Sequence, residues 1–561
     1  MSVVQQLLFP VEPPGISAVD FFDSAERHER GAIYTREEVV EFILDLVGYV
    51  PAKNLSRNRL LEPSCGAGDF LIPAVKRLLT SFRGRPIPPS EIEQSIRAVD
   101  VNGAELNVAK KAVEKLLLGH GLSGKAAVKI SNIWLRHGDF LVSDWPDSFT
   151  HIVGNPPYVR QESIPEELLR IYRARFSTLF DRADLYIPFF EKSLGLLERN
   201  GLLGFICSDR WMKNRYGGPL RGLIARDFHL KAYVDFTNCP AFHSEVVAYP
   251  AVTVLSRSKP DLTRTAHRPK ISREVLGPLS RALRGEIVDP SVIESEGVVK
   301  GEEPWLLNNI ERLNVIREIE GNLPKIEDAG CRVVIGVATG ADRIYVRLNT
   351  EFDVEESRKL PLVMTRDIES GEVNWKGMAV LNPFGDDGKV VNPGDYPRFA
   401  AYLEEHRLGI LGRNVSRRNP RAWFRTIDRI YPELCAIPKL LIPDIKGSAN
   451  IVFEEGMLYP HHNLYFVTSN TWDLRALQAV LLSRVAHAFI ATYSVRMRGD
   501  FLRFQAQYLR RIRVPDWATV PRELRKELRQ AAIARDIERC NVATREAFGL
   551  NQKKWEALAG N

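Results

Sequence analysis

The chain has 561 residues, 45% of them hydrophobic and 26% charged, with a formal net charge of +7. That length exceeds what one core serves and implies roughly two to four domains. No run of about 18 apolar residues is present, which excludes a helical membrane span, and the N-terminal MSVVQQLLFPVEPPG lacks the basic start and cleavage site of a secretory signal. Cys65, Cys207, Cys239, Cys331, Cys435 and Cys540 form no C-x-x-C pair. They suggest neither a zinc framework nor disulfides, and a reducing, cytoplasmic setting fits.

From residue 30 to 256, apolar strand-like runs alternate with amphipathic helical ones. The spacing predicts strands at Arg59–Leu61, Ser95–Val99, Ala127–Ile130, Thr150–Val153, Gly201–Cys207, Leu230–Phe236 and Ala251–Ser256. Helices are predicted at Glu37–Val47, Leu71–Thr80, Ala104–Leu117, Leu185–Glu198 and Pro219–Ala225. This alternation implies an α/β, doubly wound parallel sheet over residues 1–258. Residues 259–300, with Pro, Arg, Ser and Glu and little periodicity, are expected to be a linker or irregular crossover. Residues 301–515, rich in Gly, Pro, aromatic and β-branched residues, suggest a mixed α/β or mostly β module. Residues 516–561 suggest a charged helical tail packing on it. Neither an internal repeat nor a low-complexity tract is visible.

Chemistry concentrates in the first half. A strand leads into Glu62-Pro63-Ser64-Cys65-Gly66-Ala67-Gly68-Asp69-Phe70 and then a helix. The loop is neither G-x-G-x-x-G nor a Walker A loop, which disfavours a dinucleotide. It suits a smaller ligand with an amino-acid end, Glu62 holding the ammonium and the loop the carboxylate; it could also be a plain tight turn. Asp100 ends the next strand, where an acid commonly binds ribose hydroxyls. His137-Gly138-Asp139-Phe140 offers a carboxylate and a ring for an adenine.

The most telling stretch follows. His151-Ile152-Val153-Gly154 runs into Asn155-Pro156-Pro157-Tyr158. Proline cannot continue a sheet ladder, so this is a rigid loop at a strand end. The Asn155 amide oxygen and the Pro156 carbonyl can accept both hydrogens of an exocyclic amino group, while Tyr158 stacks on its ring. A Pro-Pro turn after a core strand is the plainer reading. Farther on, arginines interleave with aromatics. Arg417, Arg418, Arg421 and Arg425 surround Trp423 and Phe424, and Arg496 and Arg498 lie near Tyr493 and Phe501. They suit DNA contacts, or else a solvated face.

In their order, these motifs resemble the gamma class of DNA N6-adenine methyltransferases of restriction–modification systems, which use S-adenosyl-L-methionine. Gly31-Ala32-Ile33-Tyr34-Thr35 precedes the glycine loop, as that class requires; EPSCGAGDF, AVDVN, HGDF and GNPPY follow. Ala183-Asp184-Leu185-Tyr186, Asp209-Arg210-Trp211 and Pro240-Ala241-Phe242 look like the later motifs. A weaker likeness to a target-recognition domain runs through GVATGAD, TRDI, LIPDI and Arg510-Arg511-Ile512. Arg36 departs from the family, which more often has Pro after Thr35.

The resemblance implies a Rossmann-like methyltransferase sheet followed by a DNA target-recognition domain. It implies cofactor contacts from Tyr34, Thr35, Glu62, Pro63, Ser64, Cys65, Gly66, Gly68, Asp100, Asp139, Phe140, Asn155 and Pro157. Asn155, Pro156, Pro157 and Tyr158 would activate the amino group, with Tyr158 and Phe242 on the two faces of a flipped-out adenine. It further implies a monomer on double-stranded DNA, with any cognate endonuclease encoded separately. No metal ligands are expected: His461-His462-Asn463 lacks further ligands and reads as a surface loop. The segment before Gly31 is too short for a cleavage domain, so modification alone is expected. The alternatives are methylation of a glutamine side chain or an rRNA guanine, N4-cytosine methylation, and a non-catalytic DNA-binding subunit. The early Tyr34-Thr35 motif, Asn155 in place of Ser, and the intact acidic set argue against them in turn.

Overall fold

The computed structural model describes residues 19, 21–22, 31, 33–243, 249–305, 307, 310–446, 450–494 and 502–559. The chain divides into two compact units, Met1–Asn308 and Asn309–Asn561.

The first unit is built on one nine-stranded sheet. Its strands are β1 (Leu60–Glu62), β2 (Ile96–Asp100), β3 (Leu135–His137), β4 (Phe149–Gly154), β5 (Leu197–Ser208), β6 (His229–Asp235), β7 (Pro250–Ser256), β8 (Thr263–His267) and β9 (Ile293–Ser295). Their order is β3-β2-β1-β4-β5-β7-β6-β8-β9. The first five are parallel neighbours, and β7 runs antiparallel between β5 and β6. The doubly wound sheet is thus observed. Strand order reverses between β1 and β4, which opens a crevice at their carboxyl ends.

Local sequence explains the helices that cover this sheet. Glu37–Leu46 begins with two acids, which favour a helix N-terminus, and buries Val39, Val40, Phe42, Ile43, Leu44 and Leu46. It lies so close to β5 that a Cβ on Gly204 would sit 2.6 Å from Val47 Cγ1. Gly103–Gly119 starts where the Asn102 side chain accepts from Glu105 N at 2.8 Å.

Two expectations are corrected. Ala127–Ile130 is not a strand but part of the helix Gly124–Trp134, capped by Ser123. Its β-branched residues look strand-like in a short window. Over the full segment, buried Ala127, Ile130, Ser131 and Trp134 recur at helical spacing, and that period prevails. Residues 259–300 are not irregular. β8 pairs with β6, β9 pairs with β8, and helix Arg273–Leu283 buries Leu276, Leu279 and Leu283. Pro278, which reads as a breaker, is accommodated inside that helix.

The second unit is mixed α/β. One antiparallel sheet joins Cys331–Ile335, Leu464–Ser469, Lys439–Pro443 and Val452–Glu454. A second, mixed sheet joins Val346–Leu348, Met378–Leu381, Lys359–Val363 and Tyr459–Pro460, the last pair running parallel. Helices Leu474–Leu482, Arg484–Tyr493, Arg522–Ile533 and Ile537–Ala547 share one core with the first of these sheets. No single helix among the described residues is long and apolar enough to cross a membrane.

Within this unit Lys439 Nζ meets Glu454 Oε2 at 2.6 Å, the side chains 0% and 2% exposed. Glu454 Oε1 also accepts from the amides of Met457 and Leu458. Lys439→Ala would strand a buried carboxylate, so a loss of about 3–5 kcal/mol is expected in thermal or urea unfolding. Lys439→Met combined with Glu454→Gln, which keeps an oxygen for the Met457 and Leu458 amides, should recover most of it.

Candidate active site

Beyond Gly154 the prolines take the chain out of the ladder, and Asn155 is fixed from one side. Its Nδ2 donates to Ile33 O at 2.9 Å and to Thr35 Oγ1 at 3.2 Å. Because a carbonyl can only accept, Ile33 O also sets which end of the amide faces it. Asn155 Oδ1 is buried and has no hydrogen-bond partner. An amide whose donors are engaged and whose acceptor is open is a receptor for an N–H group.

The partner segment is locked in turn. Thr35 N donates to Asp69 Oδ2 at 3.0 Å. Tyr158 N donates to Gly31 O at 3.2 Å, and Gly31 (φ +62°) approaches so closely that a Cβ there would lie 2.6 Å from the Tyr158 backbone. Arg36 N donates to Ala241 O at 3.1 Å, a bond that proline could not make. The departure from the family pattern therefore adds a tie to the Phe242 segment.

The glycine loop joins the same crevice. Gly66 N donates to Asp100 Oδ2 at 2.7 Å, and Asp100 Oδ1 accepts from Asn102 N at 2.8 Å. Ser64 Oγ donates to the Asn155 carbonyl at 3.2 Å. Glu62 is 1% exposed, and its Oε2 lacks a partner. Burial, then the charges of Asp69 and Asp100, push its pKa well above the carboxylate range. Such a group calls for a cationic donor, and an ammonium fits.

Asp139 sits across the cavity, its pKa raised chiefly by burial. Its Oδ2 accepts from Tyr172 OH at 2.7 Å and its Oδ1 from Leu141 N at 2.8 Å. Tyr172→Phe removes one bond that orients this carboxylate. The affinity for a ligand held by Asp139 is expected to fall about fivefold by calorimetry, as for one net hydrogen bond.

One cavity is lined by Tyr34, Thr35, Glu62, Pro63, Ser64, Gly66, Asp100, Asp139, Phe140, Asn155 and Pro157, all expected from sequence. Cys65 and Gly68 are not on that wall. Cys65 is 3% exposed and packs in the core, its thiol pushed up by burial. Pro156 is buried in the loop. Sequence reasoning missed Phe22, Asp69, Glu105, Tyr172, Leu185 and Phe189, which also line the cavity. Glu105 accepts from Tyr34 OH at 2.9 Å. An acid three residues after the Asn102 cap was the one visible signal.

Tyr158 and Phe242 are neighbours, but their rings meet edge to face, with centroids 6.4 Å apart and planes at 81°. Phe242 is 7% exposed and belongs to the core. As found, the pair encloses no parallel slot.

Among the arginines expected to meet DNA, Arg417, Arg418 and Arg421 are exposed. Arg425 is half-buried, its guanidinium 5.9 Å from the Phe384 ring. Arg496 and Arg498 lie outside the described residues. Their neighbours Arg503 and Arg510 pair with Asp444 and Glu327. His461 is not on a surface loop: it is 2% exposed.

Comparison with known proteins adds the following. A family model described as Eco57I restriction-modification methylase matches residues 90–242. The Type II methyltransferase M.XhoI of Xanthomonas vasicola is 53% identical over 541 residues, covering 95% of this chain and 99% of that protein. The Type II methyltransferase M.PaeR7I of Pseudomonas aeruginosa is 54% identical over 538 residues, covering 95% and 94%. The Type IIL restriction-modification enzyme MmeI, solved in complex with DNA, is similar in fold, with a TM-score of 0.66 at 13% identity over 96% of this chain and 80% of that one.

Proposed function

Since the chain belongs to the Type II methyltransferases of restriction–modification systems, we propose that it methylates N6 of a flipped-out adenine in duplex DNA, using S-adenosyl-L-methionine. The observation that carries this reading is the open, buried Oδ1 of Asn155, held by an amide whose nitrogen is already engaged.

The residues present fit the cofactor. Glu62 would hold its ammonium, the Ser64–Gly66 loop its carboxylate, Asp100 its ribose, and Asp139 with Phe140 its adenine. When bound, it supplies a methyl group on an electrophilic sulfonium. Everything else falls to the chain itself. The acceptor nitrogen of adenine is a poor nucleophile because its lone pair is delocalised into the ring. Asn155 Oδ1 and the Pro156 carbonyl accept its two hydrogens, which draws the nitrogen toward a tetrahedral, nucleophilic state. Much of the rate then comes from positioning. The base must leave the duplex to reach this crevice. Tyr158 stacks on it, and Phe242 covers the second face once its ring turns.

In this reading the first unit performs the transfer. The second reads the sequence, with Arg417, Arg418 and Arg421 on phosphates or bases. The chain acts in the cytoplasm as a monomer that modifies without cleaving, and any cognate endonuclease is encoded separately.

The test is expression in a host lacking its own adenine and cytosine methylases, followed by sequencing that reports modified bases. N6-methyladenine in one short motif is the expected result. N4-methylcytosine, or unmodified DNA from folded protein that binds cofactor, would overturn the proposal.

A further inference from the structure

In the second unit, three side chains from distant parts of the sequence converge outside anything the methyl-transfer reading uses. Asp342 Oδ2 lies 3.0 Å from His461 Nε2 and 3.7 Å from His462 Nδ1. The three potential ligand atoms all lie within 4.8 Å of one another. We propose that Asp342, His461 and His462 form a binding site for a divalent transition-metal ion of the zinc class, which pins the target-reading unit together.

Two of the three spacings are compatible with a coordination sphere. Zinc bonds of about 2.0–2.2 Å to nitrogen and oxygen imply ligand-to-ligand edges of about 3.4 Å in a tetrahedron. The two distances fall on either side of that edge. A simple hydrogen bond between Asp342 and His461 would account for His461 alone. It leaves His462 Nδ1 buried beside the same oxygen with no hydrogen-bond partner. Two imidazoles and one carboxylate select zinc over calcium or magnesium, which prefer oxygen ligands.

The surroundings prepare the site. Thr339 Oγ1 donates to Asp342 Oδ1 at 2.5 Å, which turns Oδ2 toward the histidines. The two loops approach so closely that a Cβ on Gly336 would lie 2.2 Å from His461 O. His462 N donates to Val337 O at 3.0 Å. Asp342 and His462 are 41% and 37% exposed, which gives an ion an entry path and leaves a coordination position for water. The arginine-rich segment is attached to the same loop. Arg413 Nη1 donates to Thr339 O at 2.8 Å, and Asp428 N to Ala338 O at 3.1 Å. An ion here would fix the base on which Arg417, Arg418 and Arg421 are displayed.

The test uses the full chain with any affinity tag removed. The protein is dialysed against a chelator and then titrated with zinc chloride, following metal content by mass spectrometry and thermal unfolding. One zinc per chain and a melting temperature raised by several degrees are expected. Cobalt(II) should give visible d–d bands of a four-coordinate N/O site. His462→Gln, confirmed as folded by circular dichroism, should weaken zinc binding by more than about 100-fold, because loss of an outer-shell partner alone costs roughly 10- to 100-fold. Asp342→Asn should do the same. Absence of stoichiometric zinc binding, or equal retention by His462→Gln, would overturn the proposal.

Discussion

Asn155→Ala is expected to lower the single-turnover rate of methyl transfer by on the order of a thousandfold, as for loss of a preorganised hydrogen-bonding group at a reacting centre. Cofactor affinity should stay within about tenfold, because most of the cavity wall comes from other residues. The reasoning rests on the two ends of one amide. Its nitrogen holds the side chain against Ile33 and Thr35, so the oxygen is aimed before any substrate arrives. Alanine removes both the acceptor and the anchor. Asn155→Asp separates them: it keeps an acceptor but sets a carboxylate against the Ile33 carbonyl, and it should recover little activity. Single-turnover transfer of labelled methyl, with calorimetry for the cofactor, makes the comparison. An alanine variant within tenfold of wild type would remove Asn155 from the chemistry.

Glu62→Gln is the second large effect, and it changes sign between two measurements. Burial raises the pKa of Glu62 above its unfolded value. Its contribution to stability is therefore fully present below the unfolded pKa and is lost as pH rises through the folded one. Glutamine resembles the protonated form at every pH. The cofactor-free variant should therefore melt at the wild-type temperature in acid and progressively above it toward alkaline pH. Cofactor affinity should move the other way. A cationic ammonium restores the ionised carboxylate, so wild-type binding strengthens as pH rises through the raised pKa. The variant lacks that gain, and where the carboxylate is ionised and the cofactor's amino group still protonated, below about pH 8, its dissociation constant should be larger by about 10- to 100-fold, the value of a charge-assisted hydrogen bond. Equal affinity in the two proteins would show that Glu62 meets no cation.

What was legible in the sequence was what is local. The Pro-Pro pair, the glycine loop and the acids at strand ends each announce themselves within a few residues, and the sheet brings them to one edge. What stayed hidden depends on side chains arriving from elsewhere. Tyr172 reaches Asp139 from a helix whose apolar face gives no hint of the contact. Arg413 stands four residues before the basic run that begins at Arg417. It is buried, donating to three backbone carbonyls and the Ser416 hydroxyl, which no charge count reveals. The burial of His461 follows from a loop more than a hundred residues upstream. The prolines of residues 259–300 and the short run at Ala127–Ile130 misled for the opposite reason, because local signals were overruled by a longer helical period.

The segment that anchors Asn155 also bears on how such a gene can be arranged. Thr35 pairs with Phe242, His243 N donates to Tyr34 O, and Arg284 donates to Asp45 O. Residues early in the chain thus nestle among elements translated two hundred codons later. Their neighbourhood in space does not dictate where they must be encoded. A rearranged gene that places this segment after β9, joined by a flexible spacer, is expected to rebuild the same cleft, which cofactor binding by the permuted protein would check.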